Sequence, residues 1–268
     1  MSSFDDDTRV LADGKHSFTG TVHPAWNIGA NPNGGYLLAL AVSALRQDAP
    51  DHHLDPLSVT VHYLRPGLGG QPCRVDAHVL RSGRTLSTGR AALVQAGEAR
   101  IEVLAALGDL HPGAEPALTI PPPPIPPPDQ CPQRSGGQQG VELPILDRLD
   151  IRLHPDEAVA GRAGSAQVSG WIRFRDGRDP DTLATLLFAD AFPPAVFGLL
   201  GMIGWVPTIE LTVHVRRRPA PGWMLGAFRA RDLVDGRVIE DGALWDSEGR
   251  LVAQSRQLAL VRQAERKP

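Results

Sequence analysis

Short stretches of alternating apolar and polar residues, punctuated by turn-rich segments, dominate the chain, and twice this pattern gives way to a helical one. "HSFTGTVHP" (16–24) alternates like a strand. After a loop, "NGGYLLALAVSALRQ" (33–47) carries apolar residues and alanines suited to a helix, with Asn33 as its N-cap. Three or four strands follow, with glycine-rich polar turns at "PGLGGQP", "RSGR" and "QAGEAR". The second half predicts the same succession: a strand at 166–174, helical residues at 181–201, and strands near 208–218, 223–233, 237–247 and 250–262.

The two halves also share residues. "LSVTVHYLRPG" (57–67) is echoed by "IELTVHVRRRPAPG" (209–222), which sets Thr60, Val61 and His62 against Thr212, Val213 and His214. "LRSGRTLSTGRAALVQAGEARIEVLAAL" (80–107) is echoed in the same way by 233–260. A repeated supersecondary unit constrains architecture before any single motif is interpreted. Each unit reads as a helix followed by an antiparallel meander, an α+β pattern in which a sheet wraps its helix. The expected units are 1–113 and 141–268, joined edge to edge about a pseudo-twofold axis, which would cover strand edges that otherwise invite aggregation. Residues 114–140, with "PALTIPPPPIPPPDQCPQRSGGQQG" at 116–140, read as a linker, stiff where proline favours polyproline II and flexible where Ser, Gly and Gln follow. A proline-rich ligand for a partner domain is the alternative.

Composition narrows the classes. A 268-residue chain with 42% hydrophobic residues and a formal charge of −3 predicts a soluble globular protein with no nucleic-acid partner. No apolar run reaches the roughly 18 residues of a membrane span. "MSSFDDDTRV" is acidic where a signal peptide is basic, so the expected compartment is the cytoplasm. Cys73 and Cys131 fit no metal-ligand spacing, and neither a metal site nor a disulfide is expected.

Candidate chemistry centres on Asp190, an acid inside "LLFADAFPPAVFGLL" (186–200). Pro193 and Pro194 predict a helix ending near Asp190 and a second one starting near Pro193, which would leave the carboxylate beside unpaired N–H groups. A helix cap and a catalytic acid both fit that placement. Gln257 falls among small residues if Leu251, Ala253, Ser255, Gln257 and Ala259 share a face, where it would line a cavity; an outward edge position is the other reading. Thr208 opens the strand "VPTIELTVHV". No histidine or lysine adjoins these residues to activate a hydroxyl, so holding and deprotonating a water is the chemistry open to them.

With "NGGYLLAL" in the first copy and "LLFADAFPP", "PTIELTVHVRRRP" and "GRLVAQSRQLAL" in the second, the chain resembles the type II acyl-CoA thioesterase family, over nearly its whole length outside the linker. The resemblance implies a tandem (double) hotdog fold, acyl-CoA as substrate, no cofactor, and homo-oligomers formed through the sheets. It implies a water activated by Asp190, Thr208 and Gln257, with Thr212 as the competing threonine. Asn33, Gly34, Gly35 and Tyr36 then open the first helix on the substrate side, with the Gly34–Gly35 amides a place for the thioester oxygen or simply a tight turn. "AVFGLLGMIGW" is the expected wall of the acyl tunnel, and Arg216, Arg217 and Arg218 either meet CoA phosphates or form a solvated strand end. Two other classes remain: a hotdog enoyl-CoA hydratase or dehydratase, which needs an Asp–His pair from among His23, His62 or His214, and a non-catalytic acyl-CoA binding protein.

Overall fold

The computed structural model describes residues 2–111, 113, 115–136 and 141–261. Its helices are α1 (Ser3–Asp7), α2 (Gly34–Asp48), α3 (Thr182–Phe188) and α4 (Phe197–Leu200). The first half contributes strands β1 (Leu11–Ala12), β2 (Ser17–Thr21), β3 (Asn27–Ile28), β4 (Asn31–Pro32), β5 (Asp55–Tyr63), β6 (Pro72–Ser82), β7 (Leu86–Gln95) and β8 (Glu98–Gly108). The second contributes β9 (Leu149–Leu153), β10 (Gln167–Phe174), β11 (Thr208–Val215), β12 (Met224–Val234), β13 (Arg237–Trp245) and β14 (Leu251–Leu260). β3 and β4 pair with each other, and the other twelve strands form one antiparallel sheet in the order β1-β2-β6-β7-β8-β5-β11-β14-β13-β12-β10-β9.

The sheet repeats its order on either side of the β5–β11 junction, each strand of the first half having its counterpart in the second. At the junction Thr60 pairs with Thr212, His62 with Glu210 and Ser58 with His214, so the echoed sequences meet at equivalent positions. The Thr60 and Thr212 hydroxyls lie 2.8 Å apart on that local axis. Edge pairing was expected, and the register follows from alternation: Val59, Val61, Leu211 and Val213 are all buried on one face.

α2 carries a nearly continuous buried run from Gly35 to Val42 because it packs on β6, β7 and β8 and also against α3. Asn33 caps it as expected, its Oδ1 accepting the Tyr36 N–H at 3.0 Å. The closeness of α2 to α3 rests on Gly35, where a Cβ would meet the Leu186 carbonyl oxygen at 2.8 Å and the Leu187 Cα and Asp190 Cβ at 3.0 Å. Gly35→Ala is therefore expected to force the helices apart and lower stability by about 1–3 kcal/mol, measured by denaturant unfolding, despite alanine's higher helix propensity.

The second helical stretch breaks near Asp190 as the sequence predicts, but it resumes later than expected. α3 ends at Phe188, and α4 starts only at Phe197 rather than near Pro193. A residue that precedes proline is pushed out of the helical region, which excludes Phe192 and Pro193 from starting a helix. The Phe197 N–H bonds back to the Pro194 carbonyl at 3.0 Å, the first helical contact after the break.

The proline-rich stretch is not a free spacer over its described part. The indole of Trp245 donates to the Ile120 carbonyl and that of Trp171 to the Pro126 carbonyl, both at 2.8 Å. Further along, the Leu153 N–H donates to Pro132 and the Arg134 N–H to Ile151, which ties the segment to β9. Of the predicted flexible run 135–140, residues 137–140 lie outside the described residues. Trp171→Phe keeps an aromatic ring and loses one part-buried bond worth about 1 kcal/mol, so its Tm is expected to fall by about 2–4 °C in calorimetry.

Candidate active site

Asp190 follows directly on α3, one residue past its C-cap Ala189, and its carboxylate faces the N-terminus of α2 in the other half of the chain. Its Oδ2 accepts the Gly35 N–H at 2.9 Å and the Asn33 side-chain N–H at 3.0 Å; Asn33 also donates to the Asp190 carbonyl at 2.8 Å. The sequence reading placed the acid beside amides of its own helix break. The amides come instead from the first turn of α2, whose positive end suits a carboxylate. The same geometry removes the Gly35 amide as a site for a thioester oxygen, because Asp190 already occupies it. Burial pushes the Asp190 carboxyl up to about 6, while the Gly35 and Gly34 amides and the Asn33 side chain pull the other way.

Asp190 forms part of the wall of a cavity of about 410 Å³. Thr208 and Gln257 line the same cavity, and the Thr208 hydroxyl donates to Gln257 Oε1 at 3.0 Å. Strand alternation in β14 places Gln257 on the cavity side with Ala259, as the small-residue pattern suggested. Among the described residues no hydrogen bond joins Asp190 directly to Thr208 or Gln257. Thr212 is elsewhere: its hydroxyl lies against Thr60 and donates to Glu210 at 2.6 Å.

Glu240, Tyr63 and Arg134 are cavity residues that the sequence did not single out. Glu240, 6% exposed, accepts the Gln257 Nε2–H at 2.8 Å and the Ala195 N–H at 2.7 Å. Burial pushes it up to about 7 against those two bonds, with the charge of Asp190 adding to the rise. The signal existed: Val238, Glu240, Gly242 and Leu244 alternate onto the buried face of β13. Tyr63 packs its ring against Gly34, and burial followed by the charges of Asp190 and Glu210 holds its hydroxyl well above the usual range. Arg134, from the predicted linker, is buried beside the cavity and donates to the Ala191 carbonyl at 2.5 Å; burial brings it down to about 9.

The remaining candidates divide. Asn33 and Gly34 line the cavity; Gly35 does not, but its amide binds Asp190, which does. Tyr36 does not: it is fully buried, stacked on Trp26, with its hydroxyl accepting from the His23 N–H and donating to the Asp7 carbonyl. Two positions along a helix turn a side chain by about 200°, so Tyr36 points away from the side that Gly34 presents. Of the expected tunnel wall, Val196, Phe197 and Trp205 line the cavity, while Leu199, Leu200 and Met202 are exposed. Arg218 is tied to Asp55 at 2.7 Å and Asp109 at 2.8 Å, and neither it nor Arg216 lines the cavity. At the other end of α2, ligand atoms of His16, Asp48 and His78 lie within 4.8 Å of one another. Both Asp48 oxygens there are engaged, by the His16 Nδ1 at 2.7 Å and by the Val79 N–H at 2.8 Å.

Fold and site define a class: an antiparallel sheet carrying buried helices, with a carboxylate of raised pKa and a hydroxyl–amide pair facing one largely apolar cavity, suited to proton transfer beside an apolar ligand. Residues 22–111 match the model of the acyl-CoA thioesterase N-terminal domain and residues 127–261 that of the C-terminal domain. The chain belongs to the acyl-CoA thioesterase family, as the sequence resemblance implied. A solved structure from Thermobifida fusca, named as a proposed thioesterase II, is 34% identical, covers 98% of both chains and superposes with a TM-score of 0.89. A protein of unknown function with a hot dog fold from Alicyclobacillus acidocaldarius is 24% identical over 98% of this chain and 99% of its own, with a TM-score of 0.87. An uncharacterized Mycobacterium tuberculosis protein is 29% identical over 269 residues, 91% of this chain and 90% of its own. No helix among the described residues is long and apolar enough to cross a membrane.

Proposed function

We propose that this chain is a tandem hotdog enzyme that hydrolyses acyl-CoA thioesters by direct attack of water. The observation that carries the reading is the pairing, across one cavity, of Asp190 with the hydrogen-bonded Thr208 and Gln257. Asp190 takes a proton from the water as its oxygen bonds to the thioester carbon. The carbon–sulfur bond then breaks, and the proton passes from Asp190 to the departing sulfur. A base with a pKa near 6 is ionised at neutral pH yet still basic enough to assist that attack. Thr208 and Gln257 orient the water, and the apolar wall that includes Phe192, Phe197 and Phe228 takes the acyl chain. No acyl-enzyme forms in this scheme.

No histidine lines the cavity among the described residues, which speaks against an Asp–His hydratase. His23 instead caps a turn by accepting the Ala25 N–H. Incubating the purified protein with acyl-CoA from acetyl to palmitoyl and titrating free thiol is the direct test. Thiol release that scales with enzyme is expected. Binding without turnover would make the chain a carrier, and hydration of an enoyl-CoA would make it a hydratase.

A further inference from the structure

Glu240 and Gln257 stand directly opposite each other in the β13–β14 ladder, with their side chains joined at 2.8 Å. A buried carboxylate is costly, and the strand would be served by an apolar residue such as its face neighbours Val238 and Leu244. Glu240 is nevertheless anchored twice. Its Oε2 takes the N–H of Ala195, the first backbone donor after Pro193 and Pro194, and its Oε1 takes Gln257 Nε2.

We propose that Glu240 is a positioning residue that sets the direction of the Thr208–Gln257 hydrogen bond, making Thr208 an acceptor toward the attacking water. A primary amide has nearly the same shape after a half-turn, so its neighbours decide which end faces which. When ionised, the Glu240 carboxylate can only accept, so Gln257 turns its donor toward it: Nε2 faces Glu240 and Oε1 faces Thr208. The Thr208 hydroxyl must then spend its one proton on Gln257, at 3.0 Å, and only lone pairs remain toward the cavity. A water between Asp190 and Thr208 donates one hydrogen to each and keeps its own lone pair for the thioester carbon. This inference rests on the water-attack reading above.

The polarity of the relay can be reversed and restored. In Glu240→Gln, the Ala195 N–H claims the new amide oxygen, and the new NH2 group forces Gln257 to turn over. The Thr208 oxygen then accepts a hydrogen bond where its hydroxyl had donated one. The expected result is a fall in kcat of about 10²-fold, the order produced by misplacing a reacting group, with KM within about threefold and Tm close to wild type. In the exchanged pair E240Q/Q257E, the carboxylate at 257 accepts from both sides, the net charge is unchanged and Thr208 donates again. This double variant is expected to regain at least about tenfold over Glu240→Gln, a recovery that loss of mere structural support would not produce. Wild-type hydrolysis with Glu240→Gln near wild-type kcat, or with an exchanged pair no faster than the single variant, overturns the role of Glu240 and leaves the thioesterase reading intact. A wild type that releases no thiol from any acyl-CoA removes both. Should Glu240→Gln fail to fold, Gln257→Glu, which opposes two carboxylates, is the baseline that the exchanged pair must exceed.

Discussion

Asp190→Asn is expected to lower kcat by about 10²- to 10⁴-fold, the range for loss of a general base, while leaving the protein folded. The Gly35 N–H and the Asn33 side chain both donate to Oδ2, so an amide oxygen in that place keeps the Gly35 and Asn33 contacts. What the amide lacks is the ability to take a proton. A cap would behave otherwise, since asparagine caps a helix about as well as aspartate. Thiol release and Tm measured on the same variant decide the matter: near-wild-type turnover in a folded Asp190→Asn protein would leave the acid as a tether between α3 and α2.

The second large effect is in pH. Asp190 must be ionised to act, and its carboxyl sits near 6, so kcat/KM is expected to drop about tenfold per pH unit below that value, and about tenfold by pH 5. Glu240, near 7, titrates in the same range and adds to the fall, while burial holds the Tyr63 hydroxyl well above its ordinary range and so protonated throughout. Stability runs in the opposite direction. The folded pKa lies above the ordinary 3.8, so the associated stabilisation is fully present below 3.8 and is lost as pH rises through about 6. The separation of the two values corresponds to about 3 kcal/mol. Asp190→Asn should therefore gain Tm relative to wild type between pH 4 and pH 7, and whatever activity remains should lose the limb of Asp190 and keep only that of Glu240. A profile flat from pH 7 to pH 5 would contradict Asp190 as the base.

Much of the fold was legible because its causes are local. Period-two alternation and glycine-bearing turns placed β10 and β12 to β14 within a residue or two and overran β11 by three, and Asn33 was readable as a cap because capping involves only the next three residues. The echo of Thr60 in Thr212 was visible in the sequence, and the two echoed strands pair with each other, a meeting that the echo alone does not select. Asp190 was conspicuous for its apolar flanks, and the proline pair promised a break beside it.

Other features depend on residues far apart in the chain. Asp190 is held by Gly35, 155 positions earlier, and no local rule selects that partner over the amides of its own break. The helix that presents Gly34 to the cavity turns Tyr36 into the core, a choice made by how α2 lies between the sheet and α3. The proline-rich stretch reads as a spacer by composition, but Trp171 and Trp245 supply the donors that its carbonyls take. Glu240 was visible as an acid on a buried face, yet only the β13–β14 register brings it to Gln257. By itself the sequence determined the elements, their duplication and the unusual acid, because propensity, alternation and capping act over a few residues. The tertiary structure alone decided which donors and acceptors meet that acid, because burial leaves each polar group to be satisfied by whatever the packing brings within about 3 Å.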